Sequence, residues 1–206
     1  MSLQKKNIVS KSSFWDDLYL NDSSPWDLNS PTPIFINWSE NLPKNKKLNI
    51  CIPGCGKGHD ALYLSSKGHN VHAIDFSYFA TGFLKNNAKK NNLKINIIND
   101  NFFELNTKYE NYFDVVLEYT FFCAIDPSKR KKYVSKCYDL LKKNGLIVGI
   151  FLPLIKNNEE SPPFQVSIKE IKHLFSEKFN FNKIKFSSLS VKSRKDNEVY
   201  IELLKK

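Results

Sequence analysis

From residue 47 onward, short apolar runs alternate with stretches of helical spacing, and that alternation leaves few architectures open. Strands are predicted over 47–53 (KLNICIP), 70–75 (NVHAID), 94–100 (KINIIND), 112–120 (YFDVVLEYT) and 146–153 (LIVGIFLP). Helices are predicted over 59–68, ended by Gly68, and over 77–91, capped by Ser77. A third, over 127–142, has Pro127 in its first turn and stops before Gly145. A last helix, 167–179, takes Ser167 as its cap, and two strands near 181–191 and 198–204 follow with no helix between them. Strand–helix alternation with short connections makes a parallel sheet covered by helices on both faces. The final pair makes an antiparallel hairpin at one edge. The expected fold is therefore α/β, a seven-stranded and mostly parallel sheet with a C-terminal antiparallel hairpin.

The 206 residues suit a single domain. Residues 1–46 carry Trp15, Trp26 and Trp38 and no strand signal, so they are read as a cover over a core spanning 47–206. No apolar stretch approaches the ~20 residues that cross a bilayer. The first residues, MSLQKKNIVSKSSFWDD, lack the apolar segment of a secretion signal, and a cytoplasmic, membrane-free protein is expected. Cys51, Cys55, Cys123 and Cys137 form no CxxC pair, which argues against a zinc or disulfide framework and fits a reducing compartment.

The net charge of +10 raises the question of nucleic acid. The lysines are scattered, however, and the densest runs, KNNAKKNNLK and KRKKY, contain no interleaved aromatics of the kind that stack on bases. Solvated helix faces account for the surplus, or an anionic substrate drawn by it. A small-molecule substrate, no nucleic-acid partner and a monomeric state are expected.

The loop PGCGKG, 53–58, follows the first strand, and ligands of open parallel sheets sit at the carboxyl ends of strands. Asp75, closing the second strand, comes 21 residues after Gly54, the spacing at which a carboxylate receives ribose hydroxyls. A dinucleotide fingerprint needs a third glycine where His59 stands, and a phosphate-binding loop needs Ser or Thr where Gly58 follows Lys57. A bare structural turn stays open at this point. The spacing Gly54-x-Gly56-x-Gly58 followed by Asp60 instead resembles the first motif of class I S-adenosylmethionine-dependent methyltransferases.

Four stretches, FWDDLY…SPWDLNSPTP, CIPGCGKGHDALYLSSKGHNVHAIDFS, EYTFFCAIDPSKRKKY and SPPFQVS, together resemble the thiopurine methyltransferase-like family over roughly residues 12–206. The likeness is greatest to its branch of thiol, thiocyanate and halide methyltransferases. The resemblance implies a Rossmann-like sheet, S-adenosylmethionine as cofactor, and an N-terminal segment that closes over it. By motif position it implies cofactor contacts at Trp15, Tyr19, Trp26, Gly54 and Asp75, with Asp100 and Asn101 on the adenine side. It places Tyr119 beside the sulfonium and the incoming nucleophile, as the catalytic residue and a further cofactor contact. No metal is implied.

Three positions depart from the family pattern. Tyr19 stands for a tryptophan, Asn29 for a glycine of the PWDxG turn, and Ser161 for the first glycine of a GPPF-like stretch. Asn tolerates left-handed backbone better than most residues, so the turn at Asn29 is expected to survive. Tyr119 is expected to orient an anionic acceptor or to deprotonate a neutral thiol, with a plain strand-edge tyrosine as the alternative. Cys123 reads as packing and His59 as a first-turn helix residue. Arg130 either holds the helix start or faces an anion. Base amino-group methylases carry an N/D-P-P-F/Y motif after strand four, where this chain has EYTF. A nucleotide-binding module without chemistry is the non-enzymatic alternative.

Overall fold

The computed structural model describes residues 8–155 and 162–206; Ser161 lies outside them. Among the described residues seven strands occur in the order β3-β2-β1-β4-β5-β7-β6. They are β1 (Asn49–Pro53), β2 (Asn70–Ile74), β3 (Ile95–Ile98), β4 (Phe113–Tyr119), β5 (Leu141–Phe151), β6 (Phe179–Lys185) and β7 (Val199–Lys205). Among the described residues six α-helices of eight residues or more accompany them: α1 (Ser12–Leu20), α2 (Pro33–Glu40), α3 (His59–Ser66), α4 (Tyr78–Lys90), α5 (Arg130–Leu140) and α6 (Ile168–Phe175). The chain forms two compact units, Ser12–Leu105 and Asn106–Lys206 joined by the chain start up to Lys11.

In the first unit β1, β2 and β3 pair in parallel, with Pro53 opposite Ile74 and Ile74 opposite Ile98. That register ends β1 and β2 level, so the glycine loop and Asp75 emerge side by side. Cys55 N–H reaches the Ile74 carbonyl at 3.0 Å, carrying the ladder one step into the loop. Ser77 caps α4, its hydroxyl accepting from Ala80 N–H, as its residue type predicts. Ile50, Val71, Leu64 and Leu84 are fully buried between strands and helices. The segment before β1 holds two helices that the sequence reading does not include; α1 buries no residue completely, and α2 buries Ile34 and Phe35.

In the second unit β4 and β5 are parallel, β7 runs antiparallel to β5, and β6 pairs antiparallel on the outer side of β7. The expected C-terminal hairpin is thus present, with its second strand toward the interior. The helix predicted over 127–142 ends earlier: Leu141 is already strand, fully buried opposite Phe113. The ladder then skips to Val115 opposite Leu146, across a turn in which Asn144 takes φ +62°. Phe122, Tyr133, Phe151, Phe175 and Phe179 form the aromatic core, with ring centroids 5.4–5.9 Å apart along the chain of contacts Tyr133–Phe122–Phe151–Phe175–Phe179.

Arg130, at the start of α5, is 3% exposed. Its guanidinium donates to both oxygens of Glu170 at 2.7 and 2.9 Å and to the carbonyls of Phe164 and Gln165 at 3.2 Å. It lies 4.9 Å from the centre of the Phe122 ring. Of the two roles open to it, the structure assigns the first: it ties α5, α6 and the 164–165 segment together. Removing one partner of a buried ionic network leaves the others unmatched, which costs about 3 kcal/mol. Arg130→Ala should therefore lower the urea midpoint of unfolding without altering the slope, whereas a surface lysine such as Lys131→Ala should leave the midpoint in place.

Candidate functional site

The first unit holds seven of the predicted residues, Trp15, Tyr19, Trp26, Gly54, Asp75, Asp100 and Asn101. Gly54, Gly56 and Gly58 all adopt positive φ (57°, 53° and 77°). At two of them a side chain has no room. A Cβ on Gly56 would sit 2.9 Å from the Tyr19 hydroxyl oxygen, and one on Gly58 only 2.4 Å from Leu84. Gly58 is also the residue from which α3 starts, in left-handed conformation. The loop therefore needs glycine for backbone angle and for close approach together.

Asp75 is 7% exposed. Its Oδ2 accepts from Gly56 N–H and its Oδ1 from Ser77 N–H, each at 2.9 Å. Burial raises its carboxyl to about 6, and Asp16 nearby adds to the rise, while the backbone N–H donors oppose it. Asp16 itself accepts from the Ser77 hydroxyl at 2.6 Å and faces the first N–H groups of α4. A carboxylate at a helix N-terminus is favoured by the helix dipole. The sequence offers no signal for Asp16, since nothing in its own helix marks it.

Trp15, Tyr19 and Trp26 meet edge to face: Trp15–Trp26 centroids are 5.5 Å apart and Tyr19–Trp26 5.8 Å. Burial, reinforced by the charge of Asp75, keeps the Tyr19 hydroxyl protonated. The PWDLN stretch is fastened to the glycine loop. Asp27 meets Lys57 at 3.2 Å and His59 at 3.1 Å, and accepts from Asn29 N–H at 2.8 Å. Although burial works against ionisation, these partners hold its carboxyl at about 2. Asn29 has φ +52°, so the left-handed turn survives the loss of glycine. Thr32 donates to both oxygens of Asp60, at 2.7 and 2.9 Å. His59 is the first residue of α3 and serves as a partner for Asp27.

Asp100 and Asn101 follow β3. Asp100 is exposed and accepts from Asn101 N–H at 2.7 Å, and Asn101 caps the 3-10 turn 102–104 by accepting from Phe103 N–H. Asn99, just before them, donates to the Asp75 carbonyl at 3.0 Å.

The second unit holds Tyr119, the last residue of β4. Its hydroxyl oxygen accepts from Arg194, whose guanidinium also lies 4.8 Å from the tyrosine ring centre. Tyr119 in turn hydrogen-bonds the carboxylate of Glu198, which Ser190 also donates to and which faces Arg194. Glu198 is 2% exposed, and burial raises its carboxyl. Sequence reasoning names neither Arg194 nor Glu198, because both lie some 75 residues beyond Tyr119 in a segment of no motif.

The turn after Tyr119 is built on Glu118. This residue is 1% exposed; its Oε1 accepts from Phe121 and Phe122 N–H at 3.0 and 2.8 Å, and its other oxygen from the Tyr133 hydroxyl. Burial lifts its carboxyl to about 7. Thr120 takes φ +63° inside that turn. The Cys123 carbonyl accepts from Phe164 N–H at 2.6 Å, so the PPFQ segment is stapled to the same turn. The Cys123 thiol is buried and pushed up to about 12 by that burial, which makes it a packing group and not a nucleophile. Among the described residues no group of three His, Cys, Asp or Glu is placed to hold a metal, and no helix is long and apolar enough to cross a membrane.

Known proteins are similar to this chain in sequence and in fold. The family model for thiopurine S-methyltransferase (TPMT) matches residues 10–206. A probable thiol methyltransferase 2 of Arabidopsis thaliana is 30% identical over 163 residues, covering 76% of this chain and 68% of its own. A thiopurine S-methyltransferase of Vibrio cholerae is 24% identical over 176 residues, 79% of each chain. The crystal structure of Burkholderia thailandensis 1,6-didemethyltoxoflavin-N1-methyltransferase, with bound 1,6-didemethyltoxoflavin and S-adenosylhomocysteine, matches all of this chain and 91% of its own. Its TM-score is 0.76 at 14% identity, a likeness of fold. The chain belongs to the thiopurine S-methyltransferase family and is an S-adenosylmethionine-dependent methyltransferase.

Proposed function

We propose that this methyltransferase acts on a small, soft nucleophile, a thiol, hydrosulfide, thiocyanate or halide, by direct in-line displacement. The observation that carries this reading is Tyr119, at the end of β4, with its hydroxyl held by Arg194 and with the turn that follows it closed down by Glu118 and Phe164. A cation beside a hydroxyl suits a small anion or thiol, and a turn braced from two sides leaves it little freedom to widen for a bulky ring. The relative named a probable thiol methyltransferase points the same way.

S-adenosylmethionine, when bound, supplies a methyl group made electrophilic by its sulfonium. The residues of the first unit fit it. A carboxylate has about four acceptor positions. Asp75 gives one per oxygen to Gly56 and Ser77 and retains capacity for ribose hydroxyls. Gly54 and Gly56 bring bare backbone to the ligand, and Asp100 and Asn101 are assigned to the adenine side. Trp15, Tyr19 and Trp26 supply aromatic faces that attract a sulfonium by about 0.5–2 kcal/mol each. In this reading residues 1–46 are a cover, fastened through Asp16–Ser77, Asp27–Lys57 and Thr32–Asp60, and 47–206 are the catalytic core of one domain. What the protein contributes is placement of the nucleophile and exclusion of water, since a desolvated soft anion needs little further activation.

The acceptor is tested by measuring S-adenosylhomocysteine release with hydrosulfide, 2-mercaptoethanol, thiocyanate, iodide and 6-mercaptopurine. The small acceptors should have the higher kcat/KM. A higher value for 6-mercaptopurine would move the enzyme to aromatic thiols, the class named in its Vibrio cholerae relative. The ribose assignment is tested separately. Asp75→Asn should weaken S-adenosylhomocysteine binding by about 2 kcal/mol, the worth of a hydrogen bond to a charged group. Ribose hydroxyls donate to the ionised carboxylate. Calorimetry should thus find affinity falling as pH drops through about 6, where Asp75 takes up its proton, and that pH step should vanish in the variant. Unchanged affinity in Asp75→Asn would place the ribose elsewhere.

A further inference from the structure

Tyr119 is not an isolated strand-end phenol. On one side its oxygen accepts from the Arg194 guanidinium, and on the other it hydrogen-bonds the carboxylate of Glu198. A carboxylate has no proton to give, so the hydrogen in that second bond is the phenolic one. Tyr119 therefore faces Glu198 as donor, and its hydroxyl is arranged to take up a new proton as it passes on its own. Glu198 is 2% exposed, and one of its oxygens, Oε2, is buried without a hydrogen-bond partner. An acidic group kept dry in this way is an oddity for a site that favours anions. Arg194 offsets its charge in part, and Ser190 gives it one further bond. Its partners Ser190, Tyr119 and Arg194 are all donors, so the carboxylate is placed as an acceptor at the phenolic hydrogen.

We propose that Glu198 is the terminal proton acceptor for neutral thiol acceptors, acting through the Tyr119 hydroxyl, with Arg194 stabilising the phenolic oxygen as the proton passes. This rests on the reading that Tyr119 faces the methyl acceptor. As the thiol attacks, its S–H bond breaks and the sulfur keeps the electron pair. The proton forms a new O–H bond at Tyr119 Oη, while the original phenolic O–H bond breaks and its proton goes to Glu198. One proton leaves the thiol and one arrives at the carboxylate; no oxidant or reductant takes part. Glu198 returns its proton to solvent after the product leaves. Acceptors without a proton, such as thiocyanate or iodide, bypass the relay. Glu198 thus works as a positioning and proton-accepting group, and it makes thiols usable below the pH at which they ionise in water.

The test compares acceptors with and without a proton in Glu198→Gln, which preserves size and burial. At pH 7 kcat/KM for 2-mercaptoethanol should fall about 100-fold, in the range of general-base effects, and for thiocyanate by less than about tenfold. Raising the pH until 2-mercaptoethanol is mostly thiolate should close most of the gap between variant and wild type. Tyr119→Phe removes the relay atom and should reproduce the same selective loss, which keeps the test intact if Glu198→Gln does not fold. Equal losses on both acceptors, or a thiol deficit that high pH does not rescue, would overturn the relay and leave Glu198 as a brace for Tyr119. A wild-type enzyme that methylates aromatic thiols but neither of these acceptors would overturn the acceptor reading, and the relay with it.

Discussion

The carboxylate of Asp75 is the point on which the first unit turns. It leaves the end of β2, and its two oxygens reach the Gly56 N–H in the loop after β1 and the Ser77 N–H at the head of α4. Neither of those backbone groups lies in a regular ladder, so without the side chain both would need water or a new partner. Burying a carboxylate is unfavourable, as its raised proton affinity records. The offset comes from donors that are already fixed in place by β1, β2 and α4. Asp16 repeats the device one step out, joining α1 to the same helix head through the Ser77 hydroxyl. Asp60 repeats it again by taking both hydrogen-bond donors of Thr32. The glycine loop, the head of α4 and the segment before β1 are thus tied together through these carboxylates.

The second unit meets the same difficulty with a different pair. The chain after β4 must leave the sheet, turn through a left-handed Thr120 and re-enter as α5, with no ladder to guide it. Glu118 satisfies two of its backbone N–H groups from inside, and Arg130 satisfies two carbonyls of the 164–165 segment. Buried ionic groups of this kind add little net stability compared with apolar side chains. Their value lies in geometry: each fixes several loop atoms around one rigid point. Tyr119 stands directly after Glu118, so the residue assigned to the acceptor inherits that rigidity.

The sequence by itself determined what depends on local order. Apolar periodicity defined the strands, Ser77 and Ser167 marked two helix starts, the spacing Gly54-Gly56-Gly58 marked a left-handed loop with Asp75 beside it, and Asn29 kept its left-handed turn. These follow from φ preferences, capping and alternation, all of which act within a few residues. The tertiary structure alone decided the rest. The two helices before β1 are placed by contacts remote in sequence: α2 buries Ile34 and Phe35, Thr32 donates to Asp60 of α3, and Asp16 accepts from Ser77 at the head of α4. Leu141 became strand instead of helix because Phe113 lies opposite it. Arg130 became a buried brace, and Arg194 and Glu198 joined Tyr119 across about 75 residues of chain. Each of these outcomes is a contact between groups remote in sequence, and no local propensity specifies which distant partner a side chain will meet.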